Sequence, residues 1–512
     1  MVAIKNTSKK FKTKFLDQIL EDIATVPPSM NKEIFEIALD SRKVVLNSCF
    51  FSIKGRKENG LDYIQHALSK GAVAVVADDK KAKDQCARGG VPLFVIPELK
   101  KHLGTIARRF YDDPSSEMKV IGVTGTNGKT TIAYLLKEAL QYLKKRCLYV
   151  GTLGAGSLEY KNFLQLNNTT PDIFTLNNLF RTHSQNGVTY CALEASSIGL
   201  DQDRLQNLSL DIGIFSNITQ DHLDYHNDFE TYKNAKAKLF KIKNLKYAII
   251  NIDDEFGSLL ANSLSKSINL FKISLNQSML KSDKAILGAR HLSFDKAGCA
   301  FDLVYGAQTH SVKSRLIGRY NILNLLAVAA VLISQDVPLD EVAVILSSIG
   351  DVPGRMERCG RNFKGCPIYI DYAHTPDALE NALVSLRQIY PSSANKLILV
   401  FGCGGDRDKN KRPFMGAIAE KYADSVMLTS DNSRNESSLN IIEDILKGIK
   451  DKSQIMINTD RELAINLSIQ SAKENDVILI AGKGHEEYQE IFSKKQFFSD
   501  RLIIKKLLGE EL

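Results

Sequence analysis

The chain has no C-x-x-C pair, and its eight cysteines (Cys49, Cys86, Cys147, Cys191, Cys299, Cys359, Cys366, Cys403) are scattered. That argues against a thiolate zinc site and a disulfide framework, and fits a reducing cytoplasm. No apolar run approaches about 18 residues, so no membrane insertion is expected. The N-terminus lacks an apolar signal core. Residues 1–14 are rich in lysine but hold no arginine, which weakens a transit-peptide reading. Charge is nearly balanced: +8 over 512 residues. It reads as solvated lysine faces rather than a nucleic-acid surface, and remains compatible with small anionic substrates. No internal repeat or low-complexity tract is present. A cytoplasmic protein without nucleic-acid partners is expected.

Hydrophobic residues make up 44% and charged residues 25%, the balance of an ordinary globular protein. The length is too great for one core and suggests roughly three domains. Apolar β-type runs alternate with helical patterns throughout, which makes the fold class α/β. The first domain, 1–115, has strand patterns at 37–42, 48–53, 71–77 and 91–96, with helices at 62–70 and 99–111. The second, 116–353, has strands at 120–123, 147–150, 190–193, 212–215 and 247–251. A less regular stretch, 285–314, suits short antiparallel strands, and 322–334 is a strongly apolar helix. The third, 354–512, has strands at 368–371, 397–401, 426–429 and 477–481, with helices at 376–388 and 413–422. Parallel sheets with crossover helices are the natural reading of the last two.

The stretch 119–131, KVIGVTGTNGKTT, runs from a strand through a glycine-rich turn into a helix. Glycines let backbone N–H groups converge on an anion, and the helix directs its positive end at the same point. Lys129 would reach the outer phosphates and the Thr130 hydroxyl would be free for Mg²⁺. The usual nucleotide-loop pattern places glycine where this chain has Val123. A glycine-rich surface turn is the plainer alternative.

Ligands in open α/β sheets gather at the carboxyl ends of the strands. After the strand at 190–193 come Glu194 and Ser196; after that at 212–215 come Asp221, His222 and His226. A carboxylate and a histidine there could hold Mg²⁺, although histidine is an uncommon ligand for it and either histidine could be structural. The lysine-rich helix 232–240 reads by itself as a solvated face. In the third domain, loops 402–408, 430–434 and 482–486, rich in glycine, arginine and acid, follow three strands. They suit a substrate bearing carboxylates and ammonium groups, or are ordinary connecting loops.

Several motifs occur in order: Gly122-x-x-Gly-Thr-Asn-Gly-Lys-Thr-Thr131, Asn168-Thr169-Thr170-Pro171, Glu194-x-Ser-Ser, Asn217-Ile-Thr-x-Asp-His222 and Tyr232-x-x-Ala-Lys236. Gly318-Arg-Tyr-Asn321, Pro353-Gly-Arg355 and Asp371-Tyr-Ala-His374 follow. The set resembles the Mur ligases of peptidoglycan synthesis, most closely the MurE type, over about residues 35–505. The resemblance implies a uridine-nucleotide domain, a central ATPase domain and a C-terminal dinucleotide-fold-like domain for the amino acid. It implies ATP and two Mg²⁺ ions as cofactors, a monomer, and a role in cell-wall biogenesis, cell shape and division. Gly125, Thr126, Asn127, Gly128, Lys129, Thr130 and Thr131 match its ATP loop, with Asn321, Arg355, Asp371 and His374 on the nucleotide side. Thr130, Glu194, His222 and a carbamylated Lys236 match its metal ligands. With Lys129, the last three form the catalytic set.

Leu39, Ser41 and Arg42 resemble the family's uridine segment, while Arg56-Lys57-Glu58 departs from its usual composition. Thr169, Thr170, Ser196, Gln202 and Arg204 match positions that hold the muramoyl-dipeptide. Arg407, Asp431, Asn432, Ser433, Arg434, Gly482 and Glu486 resemble the meso-diaminopimelate site. There the usual Asp-Asn-Pro-Arg reads Asp-Asn-Ser-Arg; proline fixes φ, so its loss is expected to loosen Arg434. The implied reaction adds meso-diaminopimelate to UDP-N-acetylmuramoyl-L-alanyl-D-glutamate through an acyl phosphate. L-lysine in place of diaminopimelate, a folylpolyglutamate synthetase-like ligase and a catalytically idle Mur-like scaffold are the alternatives.

Overall fold

The structure is a computed structural model that describes residues 13–56, 58–492 and 494–510. Most of the lysine-rich stretch 1–14, and Lys57 of the segment 56–58, lie outside the described residues. Three large sheets and two two-stranded ones make up the sheet structure of the described residues, with helices packed between them.

The first sheet has four parallel strands in the order Glu36–Ala38, Ser48–Ser52, Ala72–Ala77, Leu93–Val95. The strand expected over 37–42 stops at Ala38. Asp40 accepts the Arg42 N–H at 2.9 Å and caps a 3₁₀ turn, Ser41–Lys43, so Ser41 and Arg42 stand on a turn. An aspartate that bonds the backbone two residues on competes with strand pairing, which is the physical reason for the correction.

The second sheet has ten strands, with Lys119–Thr124 between Ile212–Phe215 and Tyr190–Glu194, parallel to both. These three are apolar and buried along nearly their whole length, as a parallel sheet covered on both faces requires. The irregular stretch resolves into Leu287–Asp295, Gly298–Tyr305 and Gln308–Ser314, an antiparallel meander on one edge. Helix Arg319–Ile333 is apolar around most of its circumference and is accordingly buried between the sheet and its neighbours.

The third sheet runs Glu357–Arg361, Pro367–Asp371, Val477–Ala481, Leu397–Phe401, Ser425–Leu428, Ile455–Ile457, with only the first strand antiparallel. Its three central strands carry the loops singled out in the sequence. A small hairpin, Tyr488–Ile491 with Lys494–Phe497, stands beside them and has no counterpart among the sequence expectations.

Candidate active site

The glycine-rich turn occupies the central strand end of the second sheet. Gly128, at φ +88°, caps helix Lys129–Tyr142. A Cβ there would lie 2.5 Å from Asn324 Oδ1, so only glycine fits. The loop is fixed from the neighbouring strand. Asn217 accepts the Thr126 N–H on its carbonyl and the Asn127 N–H on Oδ1, each at 2.9 Å. Ser216 Oγ donates to the Asn127 carbonyl at 2.6 Å. The first N–H groups of the helix, which have no partner within it, are left at the cleft. Val123, the departure from the nucleotide-loop pattern, is the fully buried strand residue opposite Glu194, so the anion turn begins only at Gly125.

Two lysines converge on this turn. Lys129 Nζ donates to the carbonyls of Gly125 (2.9 Å) and Thr126 (2.8 Å), and Lys236 Nζ donates to the Gly125 carbonyl at 2.6 Å. Burial pushes the Lys129 ammonium below its ordinary range, against the pull of Glu194 and Asp221. Burial, and then the positive charge of Lys129, hold Lys236 well below the usual lysine range. The helix Phe229–Ala237 that carries Lys236 turns this residue inward at 1% exposure, so the solvated-face reading fails for it.

Glu194 is fully buried and saturated with donors: the Tyr149 hydroxyl and Thr152 N–H on Oε1, and the Thr152 and Thr130 hydroxyls on Oε2. Thr130 Oγ also accepts Arg355 Nη2 at 3.0 Å. Burial raises the Asp221 carboxyl, but the charges of His222, His374 and Lys411 outweigh it and leave the group below its ordinary value. His222 Nε2 is 3.5 Å from Asp221 Oδ2. His226 is 1% exposed, with Nε2 on Ser197 Oγ at 3.0 Å.

The third sheet closes the opposite wall. Asp371 accepts the Met356 N–H at 2.7 Å, and burial pushes its carboxyl up to about 6 despite Arg355 beside it. His374 Nδ1 donates to the Tyr372 carbonyl at 2.8 Å; burial and the Lys411 ammonium push this imidazole down to about 4. Asn127 Nδ2 donates to Asp377 Oδ2 at 2.6 Å across the junction. Residues 126–131, Thr169, Glu194, Ser196, His222, Lys236, Arg355, Asp371 and His374 thus line one cleft of about 420 Å³.

The remaining sequence candidates lie beside it. Asn321 is buried; it binds the Ile317 carbonyl and holds Asn324, the residue that reaches the cleft. Thr170 Oγ bonds the Glu194 carbonyl and Ser196, and Arg204 spans the Thr170 carbonyl and Gln202. Just past the first strand of the first sheet, Leu39 is half-buried, Ser41 Oγ lies 2.9 Å from His66 Nδ1, and Arg42 is exposed on Asp40. Arg56 crosses to the second unit, 3.9 Å over the Tyr225 ring, and donates to its carbonyl.

The third-unit loops singled out in the sequence meet at adjacent strand ends. A Cβ on Gly482 would stand 2.5 Å from Asp431 Oδ2. Asn432 Nδ2 and the fully buried Lys483 both bind Glu486, and Lys483 also donates to Asn432 Oδ1. Burial raises the Asp431 carboxyl, but Lys483 and Arg461 carry it below its usual range. Ser433 is buried and Arg434 mostly so, while Arg407 is exposed nearby.

Sequence reasoning passed over Tyr149, Thr152, Asn324 and Lys411. Thr152 follows a strand end directly and the same strand-end test finds it. The others declare themselves only through their partners.

A phosphate-loop sheet is joined through one cleft to a second α/β sheet with polar loops, and the matches that follow give the class: an ATP-dependent ligase forming a carbon–nitrogen bond. Residues 33–111, 123–332 and 354–484 match, respectively, the Mur ligase family catalytic domain, the Mur ligase middle domain and the Mur ligase glutamate ligase domain. The chain belongs to the Mur ligase family. It is 42% identical over 467 residues to the UDP-N-acetylmuramoyl-L-alanyl-D-glutamate–2,6-diaminopimelate ligase of Pseudomonas aeruginosa, covering 91% of this chain and 93% of that one. It is 39% identical over 498 residues to the ligase of the same name from Coxiella burnetii, covering 97% and 99%. A solved structure of a ligase with this name superposes with a TM-score of 0.67 at 33% identity, over 97% of this chain and 99% of that one. The folylpolyglutamate synthase of Mycobacterium tuberculosis shares the fold at a TM-score of 0.61 and 16% identity, over 80% of this chain and 96% of that one. Among the described residues, no helix is long and apolar enough to cross a membrane.

Proposed function

We propose that this protein joins meso-diaminopimelate to the D-glutamate γ-carboxylate of UDP-N-acetylmuramoyl-L-alanyl-D-glutamate, with ATP as the energy source, in the cytoplasm. In this reading residues 1–115 bind the uridine nucleotide, 116–353 bind ATP, and 354–512 bind the amino acid. The observation that carries it is the single cleft shared by the phosphate loop and the strand end 371–374, with Arg434 among the polar loops of that same sheet.

Lys129 and the helix N–H groups cradle the outer phosphates, and Asp371 and His374 take the nucleotide side. Thr169, Ser196 and Arg204 steady the dipeptide so that its γ-carboxylate meets the γ-phosphoryl group in line. The acyl phosphate is attacked by the amine of diaminopimelate. The tetrahedral intermediate collapses to amide, ADP and phosphate. Positioning and charge neutralisation supply most of the rate enhancement, because the protein forms no covalent bond.

Among the described residues no three His, Cys, Asp or Glu side chains form a metal cage. Glu194, Thr130 and His222, with a carbamate on Lys236, would hold Mg²⁺. Lys236 suits that modification, because a depressed pKa leaves the neutral amine that carbon dioxide requires. When bound, Mg²⁺ would draw charge from the transferring phosphoryl group.

The test is phosphate release from ATP in the presence of the muramoyl-dipeptide, with meso-diaminopimelate or L-lysine as acceptor. Turnover is expected with diaminopimelate and little with lysine. Equal or better turnover with lysine would remove the diaminopimelate reading, and none with either would favour an idle scaffold.

A further inference from the structure

The loop that carries Arg434 is gripped by the hairpin Tyr488–Ile491 and Lys494–Phe497, through Gln489, Glu490 and Phe492. The Glu490 N–H donates to Asn432 Oδ1 at 2.9 Å. The Glu490 carbonyl accepts the Arg434 N–H at 3.0 Å, and the Phe492 N–H donates to the Arg434 carbonyl at 2.7 Å. Its carboxylate Oε2 lies 3.3 Å from Arg434 Nε. One residue therefore touches both Asn432 and Arg434 of the recognition loop.

Arg434 needs such a grip. Its φ is +49°, in the left-handed region that a side chain with a Cβ disfavours. Ser433 does not fix the preceding φ as a proline would. The guanidinium is nevertheless oriented: Nη1 donates to the Gly405 carbonyl at 2.7 Å and Nε faces Glu490. Nη2 makes no hydrogen bond among the described residues, so its two N–H groups are the ones open to an incoming carboxylate. The pair is only about one-fifth exposed on either side, where a charge–charge contact is less screened than at the open surface.

We infer that Glu490 is a specificity-determining positioning residue: it clamps Arg434 so that Nη2 meets the distal carboxylate of the amino acid. The hairpin thereby replaces the rigidity that a proline at 433 would have provided. This rests on the reading that the chain adds diaminopimelate.

Steady-state kinetics of the full-length enzyme test it. Glu490→Gln keeps both backbone bonds and the side-chain shape but removes the carboxylate. The KM for meso-diaminopimelate is expected to rise on the order of tenfold, with kcat within about twofold. The KM values for ATP and for the muramoyl-dipeptide should stay unchanged, and Glu490→Asp should recover most of the loss. In an Arg434→Ala background, Glu490→Gln should have no further effect. A wild-type KM in Glu490→Gln would overturn the inference. So would an equal rise in the KM for ATP, or an effect that persists without Arg434. A wild-type enzyme that turns over lysine but not diaminopimelate would instead overturn the underlying reading, whatever the variants do.

Discussion

Two ammonium groups on one carbonyl oxygen are hard to keep in a buried site. Lys129 and Lys236 both reach the Gly125 carbonyl, and burial, with the positive charge of Lys129 added, holds the Lys236 ammonium well below its ordinary range. An incoming triphosphate would draw Lys129 off the loop, whereas Lys236 is held by its helix and could carry a carbamate. Lys129→Ala and Lys236→Ala should each cost about 10² to 10⁴ in kcat, the range for one electrostatic contact to developing charge. Lys236→Arg should not restore activity, because a guanidinium does not form the carbamate. Initial rates with saturating ATP and muramoyl-dipeptide are the measurement. A Lys236→Ala enzyme within tenfold of wild type would remove that residue from the chemistry.

At the scale of elements, the third-unit loops 430–434 and 482–486 depend on a buried ion pair below them. Arg461 opens helix Arg461–Ser471 and Asp500 opens helix Asp500–Leu508; both side chains are fully buried and bonded bidentately at 2.8 Å. The same guanidinium donates to the carbonyls of Ser430 and Ala481, the residues just before Asp431 and Gly482. Arg461→Ala leaves the Asp500 carboxylate unpaired and should cost about 3 to 5 kcal/mol in the third unit. Urea unfolding followed by far-UV circular dichroism should show that unit melting earlier. Replacing both partners, as Arg461→Met with Asp500→Leu, should recover much of the loss. An unchanged midpoint in Arg461→Ala would mean that the strand ends are held by something else.

Legibility also divides at this scale. The central strands were readable because burial on both faces demands continuous apolar runs, as in Val477–Ala481 and Ile212–Phe215. The hairpin Tyr488–Phe497 was not, because its second strand, Lys494–Phe497, is polar and exposed and carries no periodic signal. The strand at 37–42 was overextended because one side-chain bond at Asp40 outweighed the local apolar pattern.

Over the whole molecule, the proposed reaction puts ATP and the carboxylate on one unit and the amine on another, so in that reading the units must approach. The connecting segments 112–116 and 351–355 contain residues in left-handed conformations: Asp112, Asp113, Asp351 and Gly354. At Gly354 a Cβ would come within 2.2 Å of the His485 nitrogen, which seats this connection against the third sheet. The contacts Asn127–Asp377 and Arg355–Thr130 cross the junction at the phosphate loop itself. Our hypothesis is that these two segments are the hinges. X-ray scattering should show the radius of gyration falling when a non-hydrolysable ATP analogue and the muramoyl-dipeptide are added together. An unchanged profile would count against them.

The sequence by itself determined the α/β class, the phosphate loop, the strand-end carboxylate and the arginine of the third-unit loop. Each is a local matter, since strand burial, turn geometry and strand-end placement depend on neighbours within a few residues. Only the tertiary structure decided that Lys236 meets the Gly125 carbonyl of the phosphate loop. It alone showed how Arg434 is held without a proline beside it. Those outcomes depend on desolvation and on partners more than 50 residues away in the chain, such as Gly125 for Lys236 and Glu490 for Arg434. No local pattern can carry them.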